Sequence, residues 1–225
     1  MTFVQSLSAL LFPQQNVCHI CGRALEHARL LCPDCERRAD GCRLSVSRQA
    51  RDDLPQLGGT VSVFSYRGVP KQLVHLLKYQ TDTALAQWLG EHMAAAVLAH
   101  PSLASADAVI PVPLHAQRLQ DRGYNQSLLL AQVLCSCTGQ ELISDALVRS
   151  RSTGTQVGRT RKERLLALRG AFSVSNPHRL NGKHILLVDD VLTTGATAIA
   201  CAEALWWTGS TSVSLATACR ADQNA

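Results

Sequence analysis

Two adjacent carboxylates, Asp189 and Asp190, close the nearly apolar run His184–Val188, and Thr193-Thr194-Gly195-Ala196-Thr197 follows at once. A run this apolar reads as a central parallel strand buried on both faces. Two carboxylates are costly to bury, so they belong at the strand's carboxyl end, where open α/β sheets bind ligands. A turn of hydroxyls and glycine ahead of a helix offers unpaired backbone N–H groups and the positive end of the helix dipole to an anion. Gly195 lets the backbone approach that anion closely or take positive φ. The two halves suit one ligand, with the acids accepting hydrogen bonds from sugar hydroxyls while the turn holds a phosphate on the same sugar. A Walker loop is excluded, because its spacing and its lysine are missing. A Thr-capped helix after a core strand is the plainer alternative. It accounts for neither the acid pair nor five small or hydroxyl-bearing residues in a row.

Two further segments point to anion chemistry. Ile110-Pro111-Val112-Pro113-Leu114 ends a short buried strand, Ala108–Val112, expected at the same sheet edge. Arg118 to Arg122 and Gly123-Tyr124-Asn125-Gln126 follow it. Arg149–Arg169 carries seven Arg/Lys against one Glu, with Gly, Ser and Thr in its first half. A loop that long inside a compact domain is functional or disordered, and a solvated charge run is the other reading.

A third cluster is of thiols. Cys18-x2-Cys21 and Cys32-x2-Cys35 form two knuckles ten residues apart, with Gly22 and Pro33 suited to tight turns. Four thiolates so spaced suit a tetrahedral structural zinc with no position open for chemistry. Disulfides or unrelated buried thiols are the alternatives, and a reducing compartment disfavours the first. His19, His27 and Cys42 stand nearby and are not expected as ligands, the lone histidines reading as surface groups. Cys135, Cys137, Cys201 and Cys219 sit in apolar stretches and read as buried, reduced thiols.

The elements that must position these groups are legible as an α/β pattern. Of 225 residues, 46% are hydrophobic and 17% charged, which suits a globular chain with a sizeable core. Strands are expected at Val61–Tyr66, Ala108–Val112, Lys183–Asp189 and Ser212–Thr217. Helices are expected at Val69–Tyr79, Ala84–Ala99, Ser127–Cys137 and Ala198–Trp207. This alternation predicts a largely parallel sheet flanked by helices. Arg51–Gly59 has a linker's Asp, Pro and Gly content. It divides residues 1–57, an N-terminal helix ended by Pro13 plus the cysteine module, from an α/β domain at 58–225. The N-terminal segment lacks a basic n-region and a long apolar run, and no stretch reaches the ~20 apolar residues of a transmembrane helix. A cytoplasmic protein is the expectation. The net charge of +5 and pI near 8.8 lean towards anionic partners.

The strand, acid pair and T-T-G-x-T block together resemble the signature of type I phosphoribosyltransferases. That resemblance implies the type I fold, with Asp189 and Asp190 facing the ribose 2′ and 3′ hydroxyls. It implies that Thr193, Thr194, Gly195, Ala196 and Thr197 cradle the 5-phosphate, while Pro111, Val112, Pro113 and Leu114 meet pyrophosphate. Arg149–Arg169 then resembles the family's mobile catalytic loop, whose basic residues, here Arg161 and Lys162, close over pyrophosphate beside the acids. More of the chain fits the ComF/GntX family. Its pattern is matched by Phe64/Tyr66/Gly68, Lys78-Tyr79, Pro111 through Gln126, Arg149/Thr153/Gln156, Gly170/Phe172 and the acid block. Ala167 departs from it, standing where the family usually carries Asn after Arg164. Members of this family are associated with natural competence and the handling of imported single-stranded DNA.

Three functions follow as expectations. One is an enzyme that binds Mg²⁺-phosphoribosyl pyrophosphate and transfers the phosphoribosyl group to a nitrogen nucleophile, with no DNA role. Another, implied by the resemblance, is a DNA-uptake protein that binds the same ligand and carries single-stranded DNA on basic surface. Its candidates are Arg118, Arg122, Arg149, Arg151, Arg159, Arg161, Lys162 and Arg164, with Arg23, Arg29, Arg37 and Arg38 of the cysteine module as weaker ones. Binding of this kind pairs charge with aromatic stacking, yet Arg149–Arg169 contains no aromatic residue. The third makes the N-terminal module a docking site for a helicase or other DNA-processing protein of competence.

Overall fold

The computed structural model describes residues 16–27, 29–45, 54, 56–79, 82–150, 167–168 and 170–221. The N-terminal helix expected before Pro13 and most of the basic run, including Arg151, Thr153, Gln156, Arg159, Arg161, Lys162 and Arg164, lie outside the described residues. Of the segment 51–59, Leu54 and residues 56–59 are described.

In chain order the elements are α1 (Pro33–Asp40), β1 (Thr60–Ser65), α2 (Gly68–Tyr79), α3 (Thr83–Leu98), α4 (Pro101–Ala104) and β2 (Ala108–Pro111). Then come α5 (Ala116–Arg122), α6 (Gln126–Thr138), β3 (Glu141–Leu142), β4 (Leu147–Arg149), β5 (Phe172–Val174), β6 (His184–Leu192), α7 (Ala196–Trp206) and β7 (Ser212–Arg220). Five strands form one parallel sheet in the order β1-β7-β6-β2-β3, and β4 pairs antiparallel with β5. The expected type I architecture is therefore present, with β6 between β7 and β2.

Period-2 alternation splits the core into two. Leu186 and Val188 of β6 face a cluster with α2, α3 and α6, while Ile185 and Leu187 face the other, with α7 and β5. Helices α3 and α6 approach closely because Gly90 carries no side chain; a Cβ there would stand 2.6 Å from Cβ of Val133.

Several elements differ from the sequence expectation. Strand β6 does not stop at the acids. It continues to Leu192, because β7 runs on to Arg220 and pairs Val191 with Cys219 and Leu192 with Arg220. The basic stretch after Pro113 is a helix, α5, capped by His115, whose Nδ1 accepts from the Gln117 N–H, and ended by Gly123 at φ 80°. Helices α1 and α4 and strands β3 to β5 are too short for periodicity to reveal.

The cysteine module packs into the sheet's own core. Cys18, Cys32, Cys35 and Ala39 are buried in the same cluster as Val61, Leu73 and Val74. His19 pairs with Asp82 at 3.0 Å, and Asp82 caps α3 by accepting the Ala84 N–H.

Candidate functional site

Period-2 alternation places the acid pair at the carboxyl rim of the sheet with one residue on each face. Asp190 follows Leu186 and Val188 towards α2, where its Oδ2 lies 2.9 Å from Lys78 Nζ. Asp189 accepts from the Ser127 hydroxyl and from the Asp190 N–H, both at 2.9 Å on Oδ1. Burial pushes the Asp189 carboxyl up to about 7, and the charge of Asp190 adds to this. The two hydrogen bonds and Lys78 oppose the rise without cancelling it. Burial alone would lower the Lys78 ammonium, but the Asp190 charge and the bond to it reverse that, and its pKa is raised. This one lysine thus faces a pair of acids that repel each other.

Residues Gly123–Ser127 each have a positioning task. Gly123 ends α5 in the left-handed region. The Tyr124 hydroxyl donates to the Leu77 carbonyl at 2.6 Å, which ties the end of α2 to this turn. The Asn125 amide donates to the Val112 carbonyl at 3.0 Å, and its oxygen caps α6 by accepting the Ser127 N–H. Gln126 accepts from the Arg122 guanidinium. Ser127, in the first turn of α6, then reaches Asp189.

Beyond Leu192 the chain turns through Thr193–Gly195 into α7. Gly195 holds φ 77°, and a Cβ there would stand 2.5 Å from the Leu54 side chain. Glycine is therefore required twice, for the backbone angle and for the packing of buried Leu54. The Thr194 hydroxyl accepts the Ala196 N–H at 3.4 Å. The N-terminus of α7 opens on a small hollow of about 30 Å³ bordered by Asp189, Thr193, Gly195 and Thr197.

A cavity of about 690 Å³ gathers most of the remaining residues. Its walls are Lys78 and Tyr79 at the end of α2, Val112, Pro113 and Leu114 after β2, and Arg118, Asp121 and Arg122 of α5. Gln126, Ser127, Arg149, Asp189, Asp190 and Thr197 complete it. Among the described residues, four cations, Lys78, Arg118, Arg122 and Arg149, face three carboxylates, which suits an anionic ligand carrying hydroxyl groups. Pro111 stays in β2, paired with Val188, and the Val112 N–H donates to the Val188 carbonyl. Arg118, Arg122 and Arg149, three of the arginines expected on a nucleic-acid surface, thus share a wall with the acids. Arg149 lies over Phe172 at 5.6 Å, and its pKa is lowered by burial and by the charge of Arg118. A second hollow, of about 710 Å³, is lined among the described residues by Gly170, Phe172, Ala200, Glu203, Ala204, Trp206 and Trp207, of which Glu203 alone is titratable.

Sequence reasoning missed Lys78 and Ser127 as members of the site. Lys78 carried a signal only as part of a family pattern, and Ser127 carried none, since a serine in a helix's first turn is commonplace.

The four cysteines also converge. Their Sγ atoms lie within 4.8 Å of one another, and those of Cys21 and Cys32 are 3.7 Å apart. A tetrahedral zinc with Zn–S of ~2.3 Å sets its sulfurs about 3.8 Å apart, so the donors fit such an ion. Burial disfavours the Cys18 thiolate, but the backbone N–H groups of Cys32, Cys21 and Ile20 outweigh it and lower its pKa to about 6. Cys35 moves the other way, to about 12, through burial and thiol–thiol hydrogen bonds. Among the described residues His19, His27 and Cys42 stand outside this group; His19 is held by Asp82, and Cys42 lies against Gly68.

Among the described residues no helix is long and apolar enough to cross a membrane. The phosphoribosyl transferase domain family matches residues 127–225. The DNA utilization protein YhgH of Shigella flexneri is 32% identical over 208 residues, covering 91% of this chain and 90% of that protein. Competence protein ComFC of Bacillus subtilis is 27% identical over 187 residues, 81% of this chain and 68% of that one. Competence protein F of Haemophilus influenzae is 39% identical over 92 residues, 40% of each chain. Among solved structures, a B. subtilis glutamine phosphoribosylpyrophosphate amidotransferase is 20% identical with a TM-score of 0.43, over 63% of this chain and 30% of that one.

Proposed function

This chain belongs to the ComF family, and we propose that it serves natural transformation and DNA uptake, binding Mg²⁺-phosphoribosyl pyrophosphate and single-stranded DNA on the cytoplasmic side. One observation carries the ligand half. The adjacent acids Asp189 and Asp190, the glycine turn at the N-terminus of α7 and the strand end at Pro111–Leu114 meet at one rim of the sheet.

In this reading Asp189 and Asp190 accept the ribose hydroxyls, and Thr193–Thr197 hold the 5-phosphate. Pro111, Val112, Pro113 and Leu114 border the pyrophosphate. Mg²⁺ would be held mostly by the ligand's own oxygens and by water, so a dedicated cage of side chains is not required. Arg161 and Lys162, outside the described residues, are the proposed closing cations. Cys18, Cys21, Cys32 and Cys35 would hold a structural zinc.

The DNA half is supported by the names of the relatives and by Arg118, Arg122 and Arg149 on the cavity wall, with Arg151, Arg159 and Arg164 proposed to extend that surface. The cysteine module is the face proposed for a helicase or another DNA-processing protein of competence.

Calorimetry of zinc-loaded protein with Mg²⁺-phosphoribosyl pyrophosphate, with and without single-stranded DNA, tests both halves. The Asp189→Asn/Asp190→Asn variant is expected to lose the ligand while keeping its fold, and unchanged affinity would sink the site assignment. DNA affinity should fall steeply with salt; a salt-independent signal, or no binding at low salt, removes the DNA half. A second reading, turnover on a nitrogen nucleophile with no DNA role, is favoured by the extension of the cavity past the acids to Tyr79 and Arg122. Pyrophosphate released only when a nitrogen base is added, without DNA binding, would replace the first reading by the second.

A further inference from the structure

One molecule can fill both halves of a site only if the groups that meet it keep a fixed spacing, and that spacing is set by the side chains behind them. The groups proposed for the ribose and for pyrophosphate come from different strands, Asp189 from β6 and Val112–Leu114 from the chain after β2. Both are tied to one point, the entrance of α6. Ser127, buried in the first turn of that helix, donates its hydroxyl to Asp189 Oδ1 at 2.9 Å. The Asn125 amide N–H, at the helix cap, donates to the Val112 carbonyl at 3.0 Å.

Neither tie is free to swing. The Asn125 side-chain oxygen accepts the Ser127 N–H at 3.0 Å, so its two partners fix which end of the amide faces which strand. The Val112 N–H donates to the Val188 carbonyl at 2.9 Å, which holds the same residue from β6. On Asp189, Oδ1 accepts from both the Ser127 hydroxyl and the Asp190 N–H, and two donors on one oxygen fix the plane of the carboxyl group. Capping α6 requires only the Asn125 oxygen. The amide N–H and the Ser127 hydroxyl are spent instead on the two strands.

We propose that Asn125 and Ser127 are positioning residues that set the spacing between the pyrophosphate and ribose halves of the site, Asn125 through the Val112 peptide and Ser127 through the Asp189 carboxylate. The inference rests on the phosphoribosyl-pyrophosphate reading above and gives each half its own support. A ligand that covers both halves depends on both ties, and a ligand that covers one half depends on one.

The test uses the full-length, zinc-loaded protein and its Ser127→Ala, Asn125→Ser and Ser136→Ala variants. Serine at position 125 still caps α6 but is too short to hold the Val112 carbonyl. Ser136 is exposed further along α6, with its hydroxyl on the Val133 carbonyl, and controls for loss of a hydroxyl from this helix. Each protein is titrated with Mg²⁺-phosphoribosyl pyrophosphate, with ribose 5-phosphate and with Mg²⁺-pyrophosphate. Ser127→Ala is expected to bind the first two about tenfold more weakly and pyrophosphate within about twofold of the parent protein. Asn125→Ser should bind phosphoribosyl pyrophosphate and pyrophosphate about fivefold more weakly, and ribose 5-phosphate within about twofold. Ser136→Ala should bind all three within about twofold of the parent.

The Asp189 carboxyl carbon, followed by NMR, should titrate at higher pH in Ser127→Ala than in the parent, because a bond that favours the charged form is gone. It should titrate at unchanged pH in Asn125→Ser. Asp190 of β6, Lys78 of α2, Arg149 of β4 and Cys201 of α7 also act on Asp189 and are the same in every variant. Equal weakening of all three ligands by either variant assigns the ties to the fold alone and overturns the proposal. So does unchanged ribose 5-phosphate binding by Ser127→Ala, or unchanged pyrophosphate binding by Asn125→Ser. If none of the three ligands binds the parent, the phosphoribosyl reading falls, and the titration alone then decides the Ser127 tie: a raised midpoint keeps it and an unmoved one removes it.

Discussion

Lys78 Nζ lies 2.9 Å from Asp190 Oδ2, so the last turn of one helix supplies the counter-charge for an acid two residues before the end of the central strand. The pair is largely buried, with 25% of the lysine side chain and 7% of the aspartate side chain exposed. It links fold and site directly, because moving α2 would strip Asp190 of Lys78. Two adjacent carboxylates at a sheet rim are otherwise an unfavourable arrangement.

Breaking that pair should be expensive. Lys78→Met leaves Asp190 buried without its cation, and the expected loss in urea-unfolding free energy is ~2–4 kcal/mol. Adding Asp190→Asn to Lys78→Met should recover at least half of the loss, since the carboxylate that faced Lys78 is then neutral as well. A single variant as stable as the parent protein would show that the pair contributes nothing.

The acid pair also sets a pH dependence. The Asp189 carboxyl titrates at about 7 in the folded protein against 3.8 ordinarily. Between those values the folded state holds a proton that the unfolded chain has released. The associated stability is fully present below the ordinary value and is lost as pH rises through about 7. Asp189→Asn cannot ionise, so the ligand-free variant should be more stable than the parent at pH 8, by roughly 1–3 kcal/mol. Little difference is expected near pH 4, and thermal unfolding at the two pH values is the check. An equal gain at both would mean that titration is not its source.

Gly195 is strained by any side chain. Gly195→Ala must place an L residue at φ 77° and move Leu54, whose Cδ2 would stand 2.5 Å from the new Cβ. A loss of ~1–3 kcal/mol in stability is expected, together with weaker binding of phosphoribosyl pyrophosphate by calorimetry. Leu54→Ala added to it relieves the clash but not the backbone angle, so the double variant should regain only part of the binding.

The thiol cluster should govern the stability of the whole α/β core, because Cys18, Cys32 and Cys35 share one buried cluster with Val61, Leu73 and Val74. Cys35→Ser is expected to lose one bound zinc per chain by atomic absorption and to lower the melting temperature of the chain. His19→Ala should retain the metal, since His19 bonds Asp82 and stands outside the four-sulfur group. Retention of zinc by Cys35→Ser would refute the assignment.

Much of this architecture was legible before any coordinates. The alternation of apolar runs gave the parallel sheet, since each buried strand and each amphipathic helix leaves its own period in the chain. The acid pair, the glycine turn and the paired cysteines were readable for a related reason: each motif is local, and its residues lie a few positions apart. The continuation of β6 past Asp190 to Leu192 was hidden, because it depends on pairing with β7 as far as Arg220. Helix α5 was hidden as well, since seven largely polar residues bury no face that would leave a period.

The sequence by itself determined which groups could meet a phosphorylated sugar and which could hold a metal, because those groups are neighbours along the chain. Only the tertiary structure decided what surrounds them. Lys78 comes to Asp190, Ser127 to Asp189, Tyr79 to Arg122 and Leu54 to Gly195 from elements remote in sequence. Such partners meet because separate helices pack on one sheet, and a contact made by packing leaves no spacing in the chain to read.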